Sequence, residues 1–375
     1  MFATRLARVK EAMEAQGFDA LLLSLGADLP WLTGYAAMPL ERLTMLVLPT
    51  VDLQAVLVVP ELEAPRVVPV PEVFSVRAWS ETEDAVGIVS ALVKQATGTA
   101  PRLAVSDRSW ASVLLRLQLS LPAAQWRAAS EVTAPLRAVK DKGELVALGK
   151  AAAAADRVAT SLLRGEIELV GRTERQVSAE LTRRLLAEGH ERVDFAIVAS
   201  GPNSASPHHE PTGRVIEPGE AVVCDFGGPM GGYCSDITRT VFTGPPSPEL
   251  ERIYHVVAEA EAAGVRAAAN LGTPCSEVDS AARQVISEAG FGPYFIHRTG
   301  HGIGLEGHEG PYMVEGNATP LAAGHVFSIE PGIYIPGRYG VRIEDIVAAT
   351  GDGPVLLNQA SRALTIVGGA RGALG

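Results

Sequence analysis

Two segments in the second half of the chain each carry a pair of acidic residues on either side of a turn. The first, residues 220–242, has β-branched and aromatic runs on both sides of the sequence Gly-Gly-Pro-Met-Gly-Gly, which predicts a β-hairpin. We centre its turn on Met230 and Gly231. Asp225 then falls directly opposite Asp236, with the two Cβ atoms about 5 Å apart on one face of the hairpin.

The second segment, residues 326–347, repeats this arrangement around a turn between Pro336 and Gly340. Glu330 lies opposite Glu344, within one residue of register. Repulsion between two carboxylates about 4 to 5 Å apart is roughly 3 to 4 kcal/mol at an effective dielectric constant of about 20. Because the arrangement occurs twice, we expect cations between the acids.

A segment rich in histidine and glycine, residues 297–309, lies between the two predicted hairpins. Its histidines are His297, His301 and His308. Its alternating glycines are Gly300, Gly302 and Gly304. We expect these glycines to adopt positive φ and to let the backbone approach a site closely, and they argue against a helix. Four carboxylates with one imidazole suit a pair of Mn²⁺ ions, and Co²⁺ or Zn²⁺ also bind such ligands.

The motifs around these residues resemble those of the pita-bread metallopeptidases, a family that includes methionine aminopeptidase, aminopeptidase P and prolidase. The contexts are Asp-Phe-Gly, Ser-Asp-Ile-Thr-Arg-Thr, Gly-His-Gly-Ile-Gly, Glu-Pro-Gly and Ile-Glu-Asp, around Asp225, Asp236, His301, Glu330 and Glu344. The resemblance covers nearly the whole chain and points to the proline-specific branch. It implies an α/β amino-terminal domain of the creatinase/prolidase type, followed by an α+β pita-bread catalytic domain with a curved antiparallel sheet.

The pattern of elements agrees with two domains and a short tail. Residues 1–135 alternate predicted helices and strands, which indicates an α/β domain. Residues 136–367 hold the hairpins and four long helical segments, and we assign them to the catalytic domain. We expect the glycine-rich tail, residues 368–375, to be flexible.

Composition excludes several classes of function. A chain of 375 residues is long enough for two cores. The net charge of −11 and the lack of a basic stripe exclude a nucleic-acid partner. No run approaches about 20 uncharged apolar residues, and the amino terminus has no apolar signal core, so we expect a cytoplasmic protein without a membrane partner. The three cysteines lack metal-ligand spacing and are expected to be reduced. We also expect a homodimer.

The resemblance implies a role for each candidate ligand. Asp225 would hold one metal ion, Asp236 and Glu344 would bridge the two ions, and His301 would complete the second. Glu330 would ligate the second ion as well and take a proton from the attacking water. The nucleophile would be a hydroxide that bridges the two metals.

Other candidates would contact the substrate. By resemblance, His208 and His308 bind substrate and stabilise the tetrahedral intermediate, and His209 is the rival to His208. We expect His297 to line the same pocket. We assign two further residues to this region, Tyr334 as a hydrogen-bonding group and Arg342 as the partner of a ligand carboxylate.

The expected substrate is a small peptide with proline in its second position. Many prolidases read the free carboxylate of a dipeptide with an arginine directly after His-Glu-x-Pro, but here Tyr312 follows that motif. Arg42 of the front domain is a candidate replacement. We favour an Xaa-Pro dipeptidase. The alternatives are an aminopeptidase P that acts on longer Xaa-Pro peptides and a non-catalytic binding scaffold of the same fold.

Overall fold

The chain folds into two compact units. In the computed structural model, residues 1–367 are described, and the predicted flexible tail, residues 368–375, lies outside them. One unit comprises Met1–Arg137 and the other begins at Ala138. Throughout the described range, every helix is too short or too polar to cross a membrane.

The first unit is an α/β structure around one six-stranded sheet. Its strands are β1 (Ala20–Leu23), β2 (Met45–Pro49), β3 (Ala55–Pro60), β4 (Phe74–Trp79), β5 (Arg102–Val105) and β6 (Gln125–Ala128). Its helices are α1 (Phe2–Gln16), α2 (Asp28–Thr33), α3 (Ala85–Ala96), α4 (Ala111–Ser120) and α5 (Ser130–Ala138). The strand order is β4-β3-β2-β1-β5-β6, with β2 antiparallel to both neighbours and all other pairs parallel.

The α/β alternation predicted for this unit is confirmed. The sequence predicts strands at residues 19–25, 43–49, 54–60 and 102–106 and therefore misses two of the six. Strands β4 and β6 lie at the two edges of the sheet. Eight of their ten residues are partly buried or exposed, whereas every residue of β1 and β2 is buried. Edge strands therefore lack the continuous apolar run by which a central strand is recognised in sequence.

The second unit contains four α-helices and ten strands among its described residues. The helices are α6 (Lys142–Leu163), α7 (Glu174–Ala187), α8 (Pro248–Ala267) and α9 (Cys275–Glu288). The strands are β7 (Phe195–Ser200), β8 (Ala221–Met230), β9 (Tyr233–Phe242), β10 (Gly300–Gly302), β11 (Glu309–Met313), β12 (Val326–Ile329), β13 (Gly332–Ile335), β14 (Tyr339–Arg342), β15 (Asp345–Thr350) and β16 (Gly353–Leu356).

Antiparallel sheets packed against helices position the site. The sheets have the orders β7-β8-β9, β11-β10-β12-β15-β16 and β13-β14. Helices α6 and α7 bury aliphatic side chains against the first sheet, and α8 and α9 share a core with β13 and β14. An isolated bridge between Thr238 and Glu344 and a 3.1 Å hydrogen bond from Arg342 N to Thr240 Oγ1 bring the two predicted hairpins side by side.

The register of the first hairpin corrects the sequence analysis. The turn falls at Gly231 and Gly232, with φ of 61° and 79°, which suits a two-residue type I′ turn. Asp225 therefore pairs with Thr238, and Gly227 opposes Asp236. The two acids are diagonal neighbours on one face rather than directly opposed. The prediction was wrong because it placed the turn one residue too early.

The second hairpin has the predicted register. Strand β12 pairs with β15 so that Ile329 faces Asp345, and β13 pairs with β14 so that Gly332 faces Arg342. These two registers are continuous, so Glu330 and Glu344 lie opposite one another between them.

The glycines of the histidine segment serve a different purpose from the one predicted. Gly300, Gly302 and Gly304 are not among the residues with positive φ. A Cβ atom on Gly300 would lie 1.8 Å from the carbonyl oxygen of Ser328, and one on Gly302 would lie 2.3 Å from that of Gly310. These glycines allow strands to approach closely, which is what brings β10 against β11 and β12.

Candidate metal centre

Five donor side chains from separate strands converge where the two hairpins adjoin. They are Asp225 on β8, Asp236 on β9, His301 on β10, Glu330 directly after β12 and Glu344 directly before β15. Possible ligand atoms lie within 4.8 Å of one another in three groups, namely Asp225–Asp236–Glu344, His301–Glu330–Glu344 and Asp236–His301–His308. Asp236, His301 and Glu344 each belong to two of these groups, so the groups overlap in one cluster of donors.

Several carboxylate oxygens of this cluster are buried without a partner. Among residues 1–367, no hydrogen bond reaches Asp225 Oδ1, Asp236 Oδ1 or Glu344 Oε1. An unpaired buried polar atom costs about 1–3 kcal/mol, and more when it is charged. One unpaired oxygen on each of three adjacent acids is what coordination of a cation requires. The donor set therefore fits divalent metal ions.

Burial and mutual repulsion disfavour the charged forms of the acids. The pKa of Asp236 is raised well above its usual value by burial, and then by Glu344 and Asp225. The pKa of Glu344 is raised in the same way by burial, and then by Glu330 and Asp225. Burial also raises the pKa of Glu330 to about 7. Divalent cations would offset this repulsion and hold the acids in the ionised form.

His301 is held in the form that binds metal. Burial lowers its pKa to about 3, so the imidazole is neutral at physiological pH. Its Nδ1 lies 3.1 Å from the carbonyl oxygen of Gly302, and its Nε2 lies 3.3 Å from Glu330 Oε1. The contact with Gly302 assigns the proton to Nδ1 and leaves Nε2 directed at the carboxylates.

Arg342 anchors one side of the donor set and is 2% exposed. Its Nη2 donates to Asp225 Oδ2 at 2.7 Å, and its Nε donates to Thr238 Oγ1 at 3.1 Å. Thr238 Oγ1 in turn donates to Glu344 Oε2 at 2.7 Å. Burial lowers the pKa of Arg342, but attraction by Tyr334 and the acids raises it well above its usual value. The guanidinium therefore stays charged and fixes the orientation of two candidate ligands.

The donors line a cavity of about 570 Å³. Its other lining residues are Phe195, Ile197, Pro207, His208, His297, Arg298, His308 and Arg342. The rings of His301 and His308 stack with centroids 3.7 Å apart. Burial, followed by Arg298 and His208, lowers the pKa of His308. The cavity therefore combines a cluster of acids with neutral imidazole groups.

His297 and Tyr334 occupy different positions relative to this cavity. His297 lines it, and burial lowers the pKa of its imidazole to about 4. Tyr334 is 2% exposed. It does not belong to the set of described residues that line the cavity. Its hydroxyl lies 2.9 Å from His297 Nε2 and accepts from Arg342 Nη1 at 2.9 Å. The structure thus places Tyr334 behind the wall, where it supports two lining residues. Its role in substrate binding stays a prediction.

The sequence left open whether His208 or His209 contacts the substrate, and the two residues make different contacts in the structure. His208 lines the cavity. His209 Nε2 instead lies 2.9 Å from Glu174 Oε2, and Glu174 is fully buried at the start of α7. Sequence reasoning missed Glu174, because an acid in the first turn of a helix is common and nothing in its context marks it.

Arg42 lies in the first unit, between α2 and β2. Its Nη1 pairs with Glu41 at 2.8 Å, and its Nε pairs with Glu81 at 2.7 Å. Its role in reading a substrate carboxylate stays a prediction. Sequence reasoning also missed Arg298, Phe195 and Ile197, which line the cavity.

Two known protein families match separate parts of the chain. Residues 147–351 match the description Metallopeptidase family M24. This chain belongs to family M24. Residues 5–139 match the Creatinase/Prolidase N-terminal domain, so the M24 chain has the two-part organisation expected from its sequence, and it is an enzyme of the metallopeptidase class.

Individual relatives of this M24 chain match over nearly its whole length. It is 43% identical to the probable dipeptidase PepE of Mycobacterium tuberculosis, over 98% of this chain and 97% of that protein. The crystal structure of dipeptidase PepE from Mycobacterium ulcerans has a TM-score of 0.89 at 41% identity and covers 98% of both chains. That of a prolidase from Thermococcus sibiricus has a TM-score of 0.92 at 37% identity, covering 98% of this chain and 99% of that one.

Proposed function

We propose that this M24 enzyme is an Xaa-Pro dipeptidase that uses two divalent metal ions. The observation that carries the proposal is the cluster of acids with unpartnered buried oxygens on the wall of a cavity of about 570 Å³. The names of its relatives, dipeptidase PepE and prolidase, support this choice of substrate. We propose Mn²⁺ as the metal, with Co²⁺ or Zn²⁺ as substitutes.

Five side chains would hold the metal pair, namely Asp225, Asp236, His301, Glu330 and Glu344. When bound, two such ions lower the pKa of a water molecule and stabilise negative charge on the substrate carbonyl oxygen. Arg342 keeps Asp225 in place through its 2.7 Å hydrogen bond. A buried and charged anchor of this kind holds the ligand before the metals arrive.

Glu330 is the group that we propose for proton transfer. Its Oε1 accepts from Ser328 Oγ at 3.2 Å, which orients the carboxylate. The same Oε1 lies 3.3 Å from His301 Nε2, so the carboxylate lies among the candidate ligands, where it would accept a proton from water. The nitrogen of an Xaa-Pro bond carries no hydrogen and must be protonated to leave, so Glu330 would deliver the proton there.

His208 and His308 would stabilise the developing negative charge. Both line the cavity, and the lowered pKa of His308 keeps its ring neutral with an N–H to donate. Hydrogen bonds to a developing oxyanion contribute about 10²- to 10³-fold in rate. Phe195 and Ile197 supply an apolar surface on the same wall, which suits the ring of proline.

Hydrolysis of three peptides tests the proposal. With Mn²⁺ added, the protein should cleave Ala-Pro, should cleave Ala-Ala much more slowly, and should cleave Ala-Pro-Ala less well than Ala-Pro. Preference for Ala-Pro-Ala would identify an aminopeptidase P. Failure to bind metal and to cleave any of the three would leave the non-catalytic scaffold. We also propose that the protein is cytoplasmic and forms a homodimer. Sedimentation of the metal-loaded protein would test the homodimer.

A further inference from the structure

Arg298 is a cavity residue that the proposed catalytic roles leave unused. It lies in the connection between His297 and β10, three positions before His301, and is half-buried. Its guanidinium carbon lies 4.4 Å from the centre of the Tyr312 ring. Its Nη2 lies 3.3 Å from His308 Nδ1. The guanidinium is therefore held between two side chains at the wall of the cavity.

The positive charge of Arg298 is available to an anion. Two arginines line the cavity, Arg298 and Arg342, and Arg342 is committed to Asp225. The side-chain contacts of Arg298 within residues 1–367 are to Tyr312 and His308, and neither partner is a carboxylate. A cation–π contact of this kind orients a guanidinium without neutralising it.

Arg298 and the candidate metal ligands line the same cavity. His308 stacks on the candidate ligand His301 with 3.7 Å between ring centroids, and Arg298 Nη2 lies 3.3 Å from His308 Nδ1. In a dipeptide, the terminal carboxylate belongs to the residue directly after the cleaved bond, and consecutive Cα atoms are about 3.8 Å apart. A carboxylate one residue beyond the cleaved bond would therefore lie in the cavity that the Arg298 guanidinium lines.

We infer that Arg298 binds the free carboxylate of the proline residue of the substrate and thereby makes the enzyme a dipeptidase. This inference rests on the proposed function. The planar guanidinium donates two parallel hydrogen bonds to the two carboxylate oxygens, and the Tyr312 ring holds its plane. A longer peptide presents a neutral amide at this point and loses the charged interaction.

Arg42, the arginine expected to replace the missing one, is less suited to this task. Both of its ion pairs, to Glu41 and Glu81, are made inside the first unit. Arg298 has no such competitor among the described residues, and it lies over Tyr312, the residue that occupies the position where arginine was expected.

The test compares Ala-Pro with Ala-prolinamide, which differ in the terminal charge and little in size. With Mn²⁺ bound, Arg298→Met should lower kcat/KM for Ala-Pro by roughly 10- to 100-fold, mainly through KM, as expected for loss of a charge-assisted hydrogen bond. The value for Ala-prolinamide should change by less than about twofold. Tyr312→Arg in the Arg298→Met background should restore part of the turnover of Ala-Pro.

Arg338→Met is the matched control. Arg338 also lies over a tyrosine ring, 4.9 Å from the centre of Tyr339, but it pairs with Glu249 and is not among the residues that line the cavity. This variant should keep the wild-type preference for Ala-Pro. Equal losses of kcat/KM on Ala-Pro and Ala-prolinamide in Arg298→Met would overturn the inference. A third substrate, Asp-Pro, gives a second check: a loss confined to Asp-Pro would also overturn the inference, because it would show that Arg298 binds the side chain of the residue before proline.

A binding measurement separates this inference from the proposed function. Calorimetric titration of metal-free protein with Ala-Pro should give tighter binding than Ala-prolinamide, and Arg298→Met should abolish the difference. If the wild type hydrolyses neither compound but shows this dependence on Arg298, the proposed function fails, whereas the assignment of Arg298 as the carboxylate-binding residue stands. If the wild type hydrolyses Ala-Pro but neither assay depends on Arg298, the proposed function stands and the inference about Arg298 fails.

Discussion

Glu174 Oε2 lies 2.9 Å from His209 Nε2, and the neighbouring residue His208 lines the cavity. The same carboxylate accepts hydrogen bonds from the backbone and side chains of Ser200 and Thr212, as well as from Asn203. These donors span the segment that carries His208. One buried carboxylate thus organises the backbone around a residue that faces the proposed substrate.

This network predicts acid-sensitive stability. Burial alone would raise the pKa of Glu174, but hydrogen bonds from His209, Thr212, Asn203 and Ser200 lower it to about 2. The stabilisation is therefore complete above the ordinary pKa of glutamate, about 4.3, and is lost as the pH falls from there towards 2. Glu174→Gln should lower the free energy of unfolding at pH 7 by about 2 kcal/mol and flatten this pH dependence.

Urea unfolding between pH 3 and pH 7 measures this effect. Glu168→Gln serves as the control because Glu168 is exposed in the connection that precedes α7, and this variant should keep the wild-type profile. An unchanged profile in Glu174→Gln would show that the hydrogen bonds do not depend on the charge of Glu174.

Substitution of His208 should lower activity, whereas substitution of His209 should lower stability. His208→Gln removes a cavity group, so kcat/KM for Ala-Pro should fall by about 100-fold while the free energy of unfolding is unchanged. His209→Leu removes a donor to a buried carboxylate and should lower the free energy of unfolding by about 1–3 kcal/mol. Kinetics and urea unfolding of both variants check this, and the reverse pattern would make His209 the residue that meets substrate.

Substitution of one candidate metal ligand should stabilise the metal-free protein and destabilise the metal-bound protein. Glu344→Gln removes one of several repelling buried carboxylates, so the metal-free protein should gain about 1–2 kcal/mol and its Tm should rise by about 2–4 °C. With Mn²⁺ the same variant should be less stable than the wild type, because a ligand is lost.

Thermal unfolding with EDTA and with Mn²⁺ checks that prediction. Glu315→Gln is the control because Glu315 is exposed, and it should follow the wild type under both conditions. A Glu344→Gln variant that is destabilised equally with and without Mn²⁺ would argue against a metal role for Glu344.

Close strand packing at the histidine segment predicts a steric effect. Gly300→Ala would place Cβ 1.8 Å from the carbonyl oxygen of Ser328, so the free energy of unfolding should fall by about 3 kcal/mol or more and bound metal should decrease as His301 shifts. Gly307→Ala is the matched control, since a Cβ there meets no atom within 4 Å. Metal content and urea unfolding report both effects, and wild-type values for Gly300→Ala would contradict the packing argument.

Local sequence patterns predicted the elements that carry the site. The β-branched runs around Gly231 and Gly232 are sufficient to predict a hairpin, and the positions of Glu330 and Glu344 around their turn predicted the observed register. These features depend on residues near one another in the chain, where spacing determines which side chains share a face. The error in the first hairpin arose at the same level, because several adjacent glycines allowed more than one turn.

By itself, the sequence determined the two-part α/β and α+β organisation, the five candidate ligands and the acidic, oxygen-rich chemistry of their site. Only the tertiary structure decided that His208 faces the cavity while His209 contacts Glu174, that Tyr334 lies behind the wall, and that Arg298 borders the cavity beside Tyr312. Each of these outcomes depends on contacts between residues far apart in the chain. Such contacts follow from how helices and sheets pack, which no local spacing encodes.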